Sequence, residues 1–215
     1  MRVQAVLFDL DGTLVDSLAT VADAMVEAFA PHGIIATREQ IVPLIGAPVP
    51  AFLMEHYGLT PQQAEVVGDD YLRVYHEDYI DRTPQHEGAD VLLRSLHALG
   101  ITLAVVTNKN TRGAVDMVAI QGWQDLFTIV SSRETAPPKP DPEAALTVLR
   151  NLGVAPEDAA FVGDTEYDMN CARDAGLAFT IGLVGERSAG TLLAEGATHV
   201  VRSLTEVAAI LEACE

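Results

Sequence analysis

Short apolar runs rich in β-branched residues alternate with helix-like stretches along most of this chain. Six such runs predict strands, at residues 3–8, 101–107, 127–130, 159–162, 178–181 and 198–201. Helical patterns lie between them, at residues 88–99, 111–120, 142–152, 167–175 and 205–211. Strands that alternate with helices in this way form a parallel sheet covered by helices on both faces. The sequence therefore predicts an α/β fold of three layers with a doubly wound parallel sheet.

One region interrupts this alternation and contains helical patterns without a strand pattern. These patterns lie at residues 18–29, 49–57 and 61–80. The last one begins with Thr60, Pro61 and Gln63, which match the N-cap, the first helical position and the capping-box position of a helix. We therefore expect an α/β core domain of residues 1–15 and 84–215 and an inserted helical cap domain of residues 16–83. An insert tethered where the first strand ends can act as a lid, although a packed domain that does not move is the alternative.

The composition argues against several classes of partner. The chain has a formal net charge of −18, and a field of this sign repels nucleic acid and anionic membranes. No run approaches the ~18 apolar residues of a membrane span, and Asp9 and Asp11 interrupt the N-terminal apolar run, which is untypical of a signal peptide. Cys171 and Cys214 lack the spacing of a metal or redox motif. We expect a cytoplasmic protein, monomeric or homodimeric, without a nucleic-acid or membrane partner.

Polar side chains follow four of the predicted strands at the points where these strands end. Asp9 and Asp11 follow the first strand, and Gly12 allows the backbone to turn sharply there. Because the carboxyl ends of parallel strands lie along one edge of the sheet, other strand ends contribute to the same cleft. The further residues are Thr107 and Asn108 after the second strand, Lys139 after the third, and Asp164 and Asp168 after the fourth.

Four carboxylates at one edge of a sheet repel one another unless a cation neutralises them. Two like charges about 4 Å apart cost roughly 4 kcal/mol at an effective dielectric constant near 20. Oxygen ligands without His or Cys favour Mg²⁺ over zinc, and none of the six histidines lies in these loops. Thr107, Asn108 and Lys139 provide hydroxyl, amide and ammonium donors for phosphate oxygens. The sequence thus predicts a magnesium site that binds a small phosphorylated molecule.

Each of these residues also has a purely structural interpretation when it is taken alone. Thr107 and Asn108 can cap the next helix, Lys139 can be a surface charge, and Asp164 and Asp168 can belong to an acidic helix start. The use of lysine argues for function, since only Lys109 and Lys139 among the 13 basic residues are lysines. Both follow predicted strands, where a compact point charge suits an anionic ligand.

The four motifs, in this order, strongly resemble those of the haloacid dehalogenase superfamily in its phosphatase branch. They are Asp9-Leu10-Asp11-Gly12-Thr13, then Thr107-Asn108, then Lys139, and finally Gly163-Asp164 through Asp168. The resemblance implies a Rossmann-like core and a small helical cap. It also implies that Asp9 is the nucleophile that forms an aspartyl-phosphate and that Asp11 is the general acid and base.

The resemblance also implies which residues bind the metal ion and which bind the phosphoryl group. The Asp9 carboxylate, the Asp11 carbonyl and Asp164 would hold Mg²⁺, with Asp168 in a supporting second shell. Thr107 and Lys139 would bind the transferring phosphoryl group, and Lys139 would also offset the charge of Asp9.

Within the superfamily, the amino-acid sequence of residues 11–17 and 107–109 is most similar to that of the phosphoglycolate phosphatases. Asp11 is untypical of dehalogenases, the insert has no lysine for a phosphonatase Schiff base, and the loop around Gly46 lacks the basic residue of hexose-phosphate mutases. Gly46 is a candidate specificity residue, and the insert offers Arg38, Arg73 and Arg82 for the rest of the substrate. A pyrophosphatase or nucleotidase of the same superfamily is the alternative function.

Two hypotheses from other classes also gather acids, Thr and Lys on a parallel sheet. A phospho-receiver domain needs an aspartate at the end of the third strand, and residues 128–132 contain none. A non-catalytic binding protein has no need of both Asp9 and Asp11. We therefore expect an enzyme.

Overall fold

Six parallel strands form one sheet within the described part of the chain. The structure is a computed structural model that describes residues 3–45 and 48–212. The strands are β1 Ala5–Phe8, β2 Thr102–Val106, β3 Phe127–Ser131, β4 Ala159–Gly163, β5 Phe179–Leu183 and β6 His199–Val201. Their order is β3-β2-β1-β4-β5-β6, and all neighbouring pairs are parallel. The predicted fold class is confirmed.

The strand order reverses at β1, and this reversal determines where a ligand can bind. The chain runs from β1 outward to β2 and β3, then crosses to the other side of β1 for β4, β5 and β6. Phe8 at the end of β1 is in register with Val105 of β2 and Val162 of β4. In open α/β sheets a crevice forms beyond the carboxyl ends of the strands at such a reversal. Asp9 follows β1 at this position.

Helices connect the strands and form the inserted segment. They are α1 Leu18–Phe29, α2 Arg38–Ile41, α3 Val49–Tyr57, α4 Pro61–Val74, α5 Ala89–Ala98, α6 Thr111–Ile120, α7 Glu143–Leu152, α8 Glu166–Asp174, α9 Ala189–Ala194 and α10 Thr205–Glu212. No helix among the described residues has the length and apolar character needed to cross a membrane.

The central strand is buried on both faces, as a three-layer fold requires. Leu7 belongs to an apolar cluster that includes Leu149 of α7 and Ala172 of α8. Side chains alternate between the faces of a strand, so Val6 and Phe8 point to the opposite face, where both are fully buried. The apolar runs that predicted the strands therefore form the core that holds the strand ends in place.

The inserted segment forms a compact unit of its own, Asp16–Pro84. Its named elements are all helical, and α4 begins at the predicted capping box, in which the Thr60 amide donates to the Gln63 side chain at 2.9 Å. The predicted helix over 61–80 is interrupted, because the π-helical turn Tyr75–Tyr79 follows α4. Sequence patterns missed α2, which has four residues and a capping box of its own. Gly46, the predicted specificity residue, lies outside the described residues.

Candidate active site

The loop after β1 holds two carboxylates in a tight turn. The Asp9 amide continues the sheet by donating to the Val162 carbonyl at 2.9 Å. Gly12 has a φ of +84°, and its amide donates to the Val15 carbonyl at 2.9 Å. Thr13, which is fully buried, follows directly. The turn places Asp9 and Asp11 at the carboxyl end of β1 within the same loop.

Three carboxylates from two strand ends meet in a buried cluster. Asp9, Asp164 and Asp168 each offer one carboxylate oxygen, and these oxygens lie within 4.8 Å of one another. The three residues are 7%, 5% and 0% exposed. A set made of oxygen donors fits a hard divalent cation such as Mg²⁺.

Lys139 brings an ammonium group from the loop after β3 into the carboxylate cluster. Its Nζ donates to Asp9 Oδ1 and to Asp168 Oδ1, both at 2.6 Å. The residue is only 3% exposed, so water solvates its charge very little. The ring of Phe161 lies 5.5 Å from the same Nζ. Lys139 therefore ties the β1 loop to the start of α8.

Burial and crowding determine the charge of this cluster. Burial raises the pKa of Asp9 to about 7, with Lys139 opposing the effect and Asp168 adding to it. Burial and the carboxylates of Asp168 and Asp9 also raise the pKa of Asp164. Burial lowers the pKa of Lys139, but its two carboxylate partners outweigh this effect and raise the pKa overall. Lys139 is therefore cationic, and the three carboxylates offer more negative charge than one ammonium neutralises.

Asp168 is held at the N-terminus of α8 as well as by Lys139. The Thr165 amide and hydroxyl donate to Asp168 Oδ2 at 3.0 and 2.6 Å. Gly163 gives this side chain its space, because a Cβ atom at that position would collide with the Asp168 carboxyl carbon. Both oxygens of Asp168 thus have protein donors.

Asp164 lies against the β1 loop. Its Oδ1 accepts from Thr13 Oγ1 at 2.9 Å. A Cβ atom at Gly12 would lie 2.5 Å from Asp164 Oδ2, which is closer than Cβ atoms in proteins approach other heavy atoms. The glycine of the first motif therefore provides the room for the first carboxylate of the last motif.

The loop after β2 supports Lys139. Asn108 Nδ2 donates to the Lys139 carbonyl at 3.0 Å, and the Lys139 amide donates to Asn108 Oδ1 at 2.8 Å. Thr107 is buried, and its hydroxyl accepts from the Lys109 amide at 3.2 Å. Among the sequence-predicted residues, Asn108 thus uses its amide on the Lys139 backbone, whereas its predicted contact with phosphate stays a prediction.

One ion pair at the site was not predicted from the sequence. Lys109 Nζ contacts both carboxylate oxygens of Asp11, at 3.1 and 3.0 Å. The two side chains are 8% and 17% exposed. The scarcity of lysine pointed to Lys109, but no sequence pattern indicated which carboxylate it meets.

Comparison with known proteins finds relatives of nearly the whole chain. Residues 6–181 match the family model for haloacid dehalogenase-like hydrolases. The chain is 33% identical over 218 residues to a phosphoglycolate phosphatase of Chromobacterium violaceum. The aligned region covers 96% of this chain and 95% of that protein. It is 32% identical over 181 residues to the pyrophosphatase PpaX of Bacillus velezensis, with 81% of each protein covered. The crystal structure of a predicted phosphatase from Clostridium acetobutylicum has a TM-score of 0.90 at 26% identity, covering 99% of this chain and 100% of that one.

The close approach of Gly12 to Asp164 can be tested with two glycine variants. Gly12 and Gly100 both have positive φ, but a Cβ atom at Gly100 would meet nothing within 4 Å. Gly100→Ala should lower the free energy of unfolding by about 1–3 kcal/mol, the cost of a strained backbone alone. Gly12→Ala should cost clearly more, because Asp164 must also move. Urea unfolding followed by circular dichroism measures both, and equal losses would contradict the close packing of Gly12 against Asp164.

Proposed function

Because this chain belongs to the haloacid dehalogenase-like hydrolases and is a phosphatase of that family, we propose that it hydrolyses small phosphate monoesters through a phosphorylated Asp9. The observation that carries this proposal is the buried cluster of Asp9, Asp164 and Asp168, in which Asp9 and Asp168 both contact Lys139. A carboxylate can act as the nucleophile that forms a covalent phosphoryl intermediate, and Lys139 offsets the negative charge of Asp9.

In the first step, Asp9 attacks the phosphorus atom of the ester. A bond forms between a carboxylate oxygen of Asp9 and phosphorus, and the bond from phosphorus to the ester oxygen breaks. The ester oxygen leaves with the bonding electron pair and takes a proton from the Asp11 carboxyl group. Lys139 orients the Asp9 carboxylate through its Oδ1 contact at 2.6 Å and lowers the repulsion between that carboxylate and the phosphoryl oxygens.

In the second step, water regenerates Asp9. The water oxygen attacks phosphorus while Asp11, now ionised, accepts the water proton. The bond between phosphorus and the Asp9 oxygen breaks, and inorganic phosphate is released. Asp11 thus acts in both steps, and it returns to its starting protonation state only after both are complete.

A magnesium ion is the cofactor that this donor set supports. We propose that the Asp9 carboxylate, the Asp11 carbonyl and Asp164 hold it, while Asp168, whose oxygens both have protein donors, supports Lys139. When bound, Mg²⁺ would neutralise the excess carboxylate charge and polarise a phosphoryl oxygen. Thr107 and Lys139 are the proposed donors to the phosphoryl group, and Asn108 fixes the backbone of Lys139.

We propose that the inserted unit is a cap that recognises the leaving group. Its two connections to the core run side by side, because the Asp16 amide donates to the Pro84 carbonyl at 3.0 Å. The first of these connections follows directly on the loop that carries Asp9 and Asp11. For the substrate we propose a small anionic metabolite ester of the phosphoglycolate kind, which rests on the similarity to a phosphoglycolate phosphatase. The similarity to a pyrophosphatase keeps pyrophosphate and nucleotides as the alternative.

Removing the nucleophile tests the covalent step. Asp9→Asn should reduce phosphate release from 4-nitrophenyl phosphate by roughly 10⁴-fold or more, because the amide cannot form the acyl-phosphate. The fold should persist, since the change removes one carboxylate from a cluster in which carboxylates repel one another. Asp125→Asn, at an exposed position, is the matched control and should keep full activity. Wild-type turnover by the Asp9 variant would refute the mechanism.

Removing the metal tests the cofactor assignment. Exhaustive dialysis against a chelator should abolish turnover, and Mg²⁺ should restore it better than Ca²⁺, which prefers more ligands and longer distances. Mg²⁺ should also raise the unfolding temperature of the wild-type protein, because it binds the folded state. Asp164→Asn should lose most of this temperature shift, whereas Asp125→Asn should retain it. Activity that survives chelation would contradict the proposed cofactor.

A substrate panel separates the two proposed substrate classes. Phosphate release should be measured as kcat/KM for phosphoglycolate, pyrophosphate, nucleotides and sugar phosphates under identical magnesium concentrations. Phosphoglycolate should give the highest value if the proposal is right. A clear preference for pyrophosphate or for a nucleotide would establish the alternative within the same family.

A further inference from the structure

Lys109 contacts both oxygens of the second carboxylate of the β1 loop, that of Asp11. Its Nζ lies 3.1 Å from Asp11 Oδ1 and 3.0 Å from Asp11 Oδ2, although the residues are 98 positions apart. The side chains of Lys109 and Asp11 are 8% and 17% exposed. An ion pair on the surface is far more exposed, for example Arg94–Asp90, whose side chains are 55% and 37% exposed. Such surface pairs contribute little to stability.

The backbone and the neighbouring helix are arranged around the Lys109 side chain. Its amide donates to Thr107 Oγ1 at 3.2 Å, and its carbonyl accepts from the Arg133 amide at 3.3 Å. The aliphatic stem crosses α6 at Gly113, where a Cβ atom would lie 3.1 Å from Lys109 Cε and 3.2 Å from Cγ. Both ends of the residue and the path of its stem are therefore fixed by the fold.

We propose that Lys109 is a positioning residue for Asp11, an inference that rests on the proposed function. A carboxylate held through both oxygens by one ammonium has its plane and its distance from β1 fixed. To protonate the leaving oxygen, Asp11 has to exchange one of its two Lys109 contacts for a proton, and it regains that contact when it is ionised. It later deprotonates water, and both transfers require hydrogen-bond geometry. Lys109 thus acts through Asp11, whereas Lys139 acts on Asp9 and the phosphoryl group.

This role predicts a loss confined to the steps that Asp11 serves. The 4-nitrophenolate ion departs without a proton, whereas an alkoxide must be protonated as it leaves. Lys109→Met should therefore lower kcat/KM for an alkyl phosphate such as phosphoglycolate by roughly 10²-fold, the cost of a misplaced catalytic group. For 4-nitrophenyl phosphate, kcat/KM should change by less than about 3-fold, because that constant ends at release of nitrophenolate.

The second step gives an independent signature with the same aryl ester. If water activation by Asp11 is impaired, Lys109→Met should lower kcat and KM together for 4-nitrophenyl phosphate. Rapid mixing should then show a burst of about one nitrophenolate per enzyme, the sign of an accumulating covalent intermediate. A direct role of Lys109 in binding phosphate, or a merely structural role, would lower kcat/KM equally for both esters and would overturn the proposal.

Controls separate the positioning role from charge and folding effects. Arg112→Met removes one positive charge in the first turn of α6, at a side chain that is 76% exposed, and should change neither ester's kinetics. Lys109→Arg keeps the charge and should recover part of the alkyl-ester activity. If Lys109→Met does not fold, Lys109→Gln repeats the test with a polar side chain of similar length.

A double-mutant cycle decides whether the effect passes through Asp11. In an Asp11→Asn background, Lys109→Met should cause no further loss of kcat/KM for the alkyl ester, whereas additive losses would refute the inference. If wild-type protein fails on both esters, or Asp9→Asn is fully active, the proposed function falls and this inference with it. If those controls behave as expected and the losses are equal or additive, only the inference falls.

Discussion

A single buried ammonium group holds the proposed catalytic machinery together. Lys139 Nζ lies 2.6 Å from carboxylate oxygens of both Asp9 and Asp168 and has almost no access to water. Leaving a buried charge without its partner typically costs 3–5 kcal/mol. The backbone of Lys139 is in turn fixed by both ends of the Asn108 amide. The β1 loop, the loop after β2 and the start of α8 are therefore tied to one residue, Lys139, and the position of each depends on the others.

The same arrangement explains why the glycines of the motifs are needed where they stand. Gly12 and Gly163 allow Asp164 and Asp168 to approach the backbone of neighbouring loops. Packing carboxylates this closely raises the pKa of Asp9 and of Asp164, because burial and mutual repulsion disfavour their charged forms. This is a cost in stability that the fold bears at its cleft. A divalent cation and a phosphoryl group are the partners that turn this unfavourable arrangement into a binding site.

The sequence predicted the sheet, the helical insert and the edge at which the polar residues gather, and the resemblance to the haloacid dehalogenase superfamily is confirmed. These features follow from hydrophobic periodicity and motif order, which are local properties. The π-helical turn after α4 was not predictable, because its pattern continues that of the helix. The pairing of Lys109 with Asp11 and the use of Asn108 on the Lys139 backbone depend on distances between loops far apart in sequence. The prediction for Gly46 stays a prediction.

The mechanism proposed for the core accounts for the transfer of a phosphoryl group but does not distinguish one ester from another. Relatives of similar identity are named for phosphoglycolate and for pyrophosphate, so the difference between them lies outside the shared phosphoryl chemistry. The basic residues of the proposed cap are a natural place to look, but two of them are already engaged. Arg38 donates two hydrogen bonds to the Asp23 carboxylate, at 2.8 and 2.5 Å. Arg73 forms ion pairs with Asp70 and Glu77. An anionic leaving group would have to compete with these carboxylates to bind either arginine. Recognition of the leaving group by the proposed cap would therefore use Arg82, whose guanidinium lies 5.6 Å from the centre of the Tyr79 ring, neutral polar and backbone groups, or the exchange of an existing ion pair.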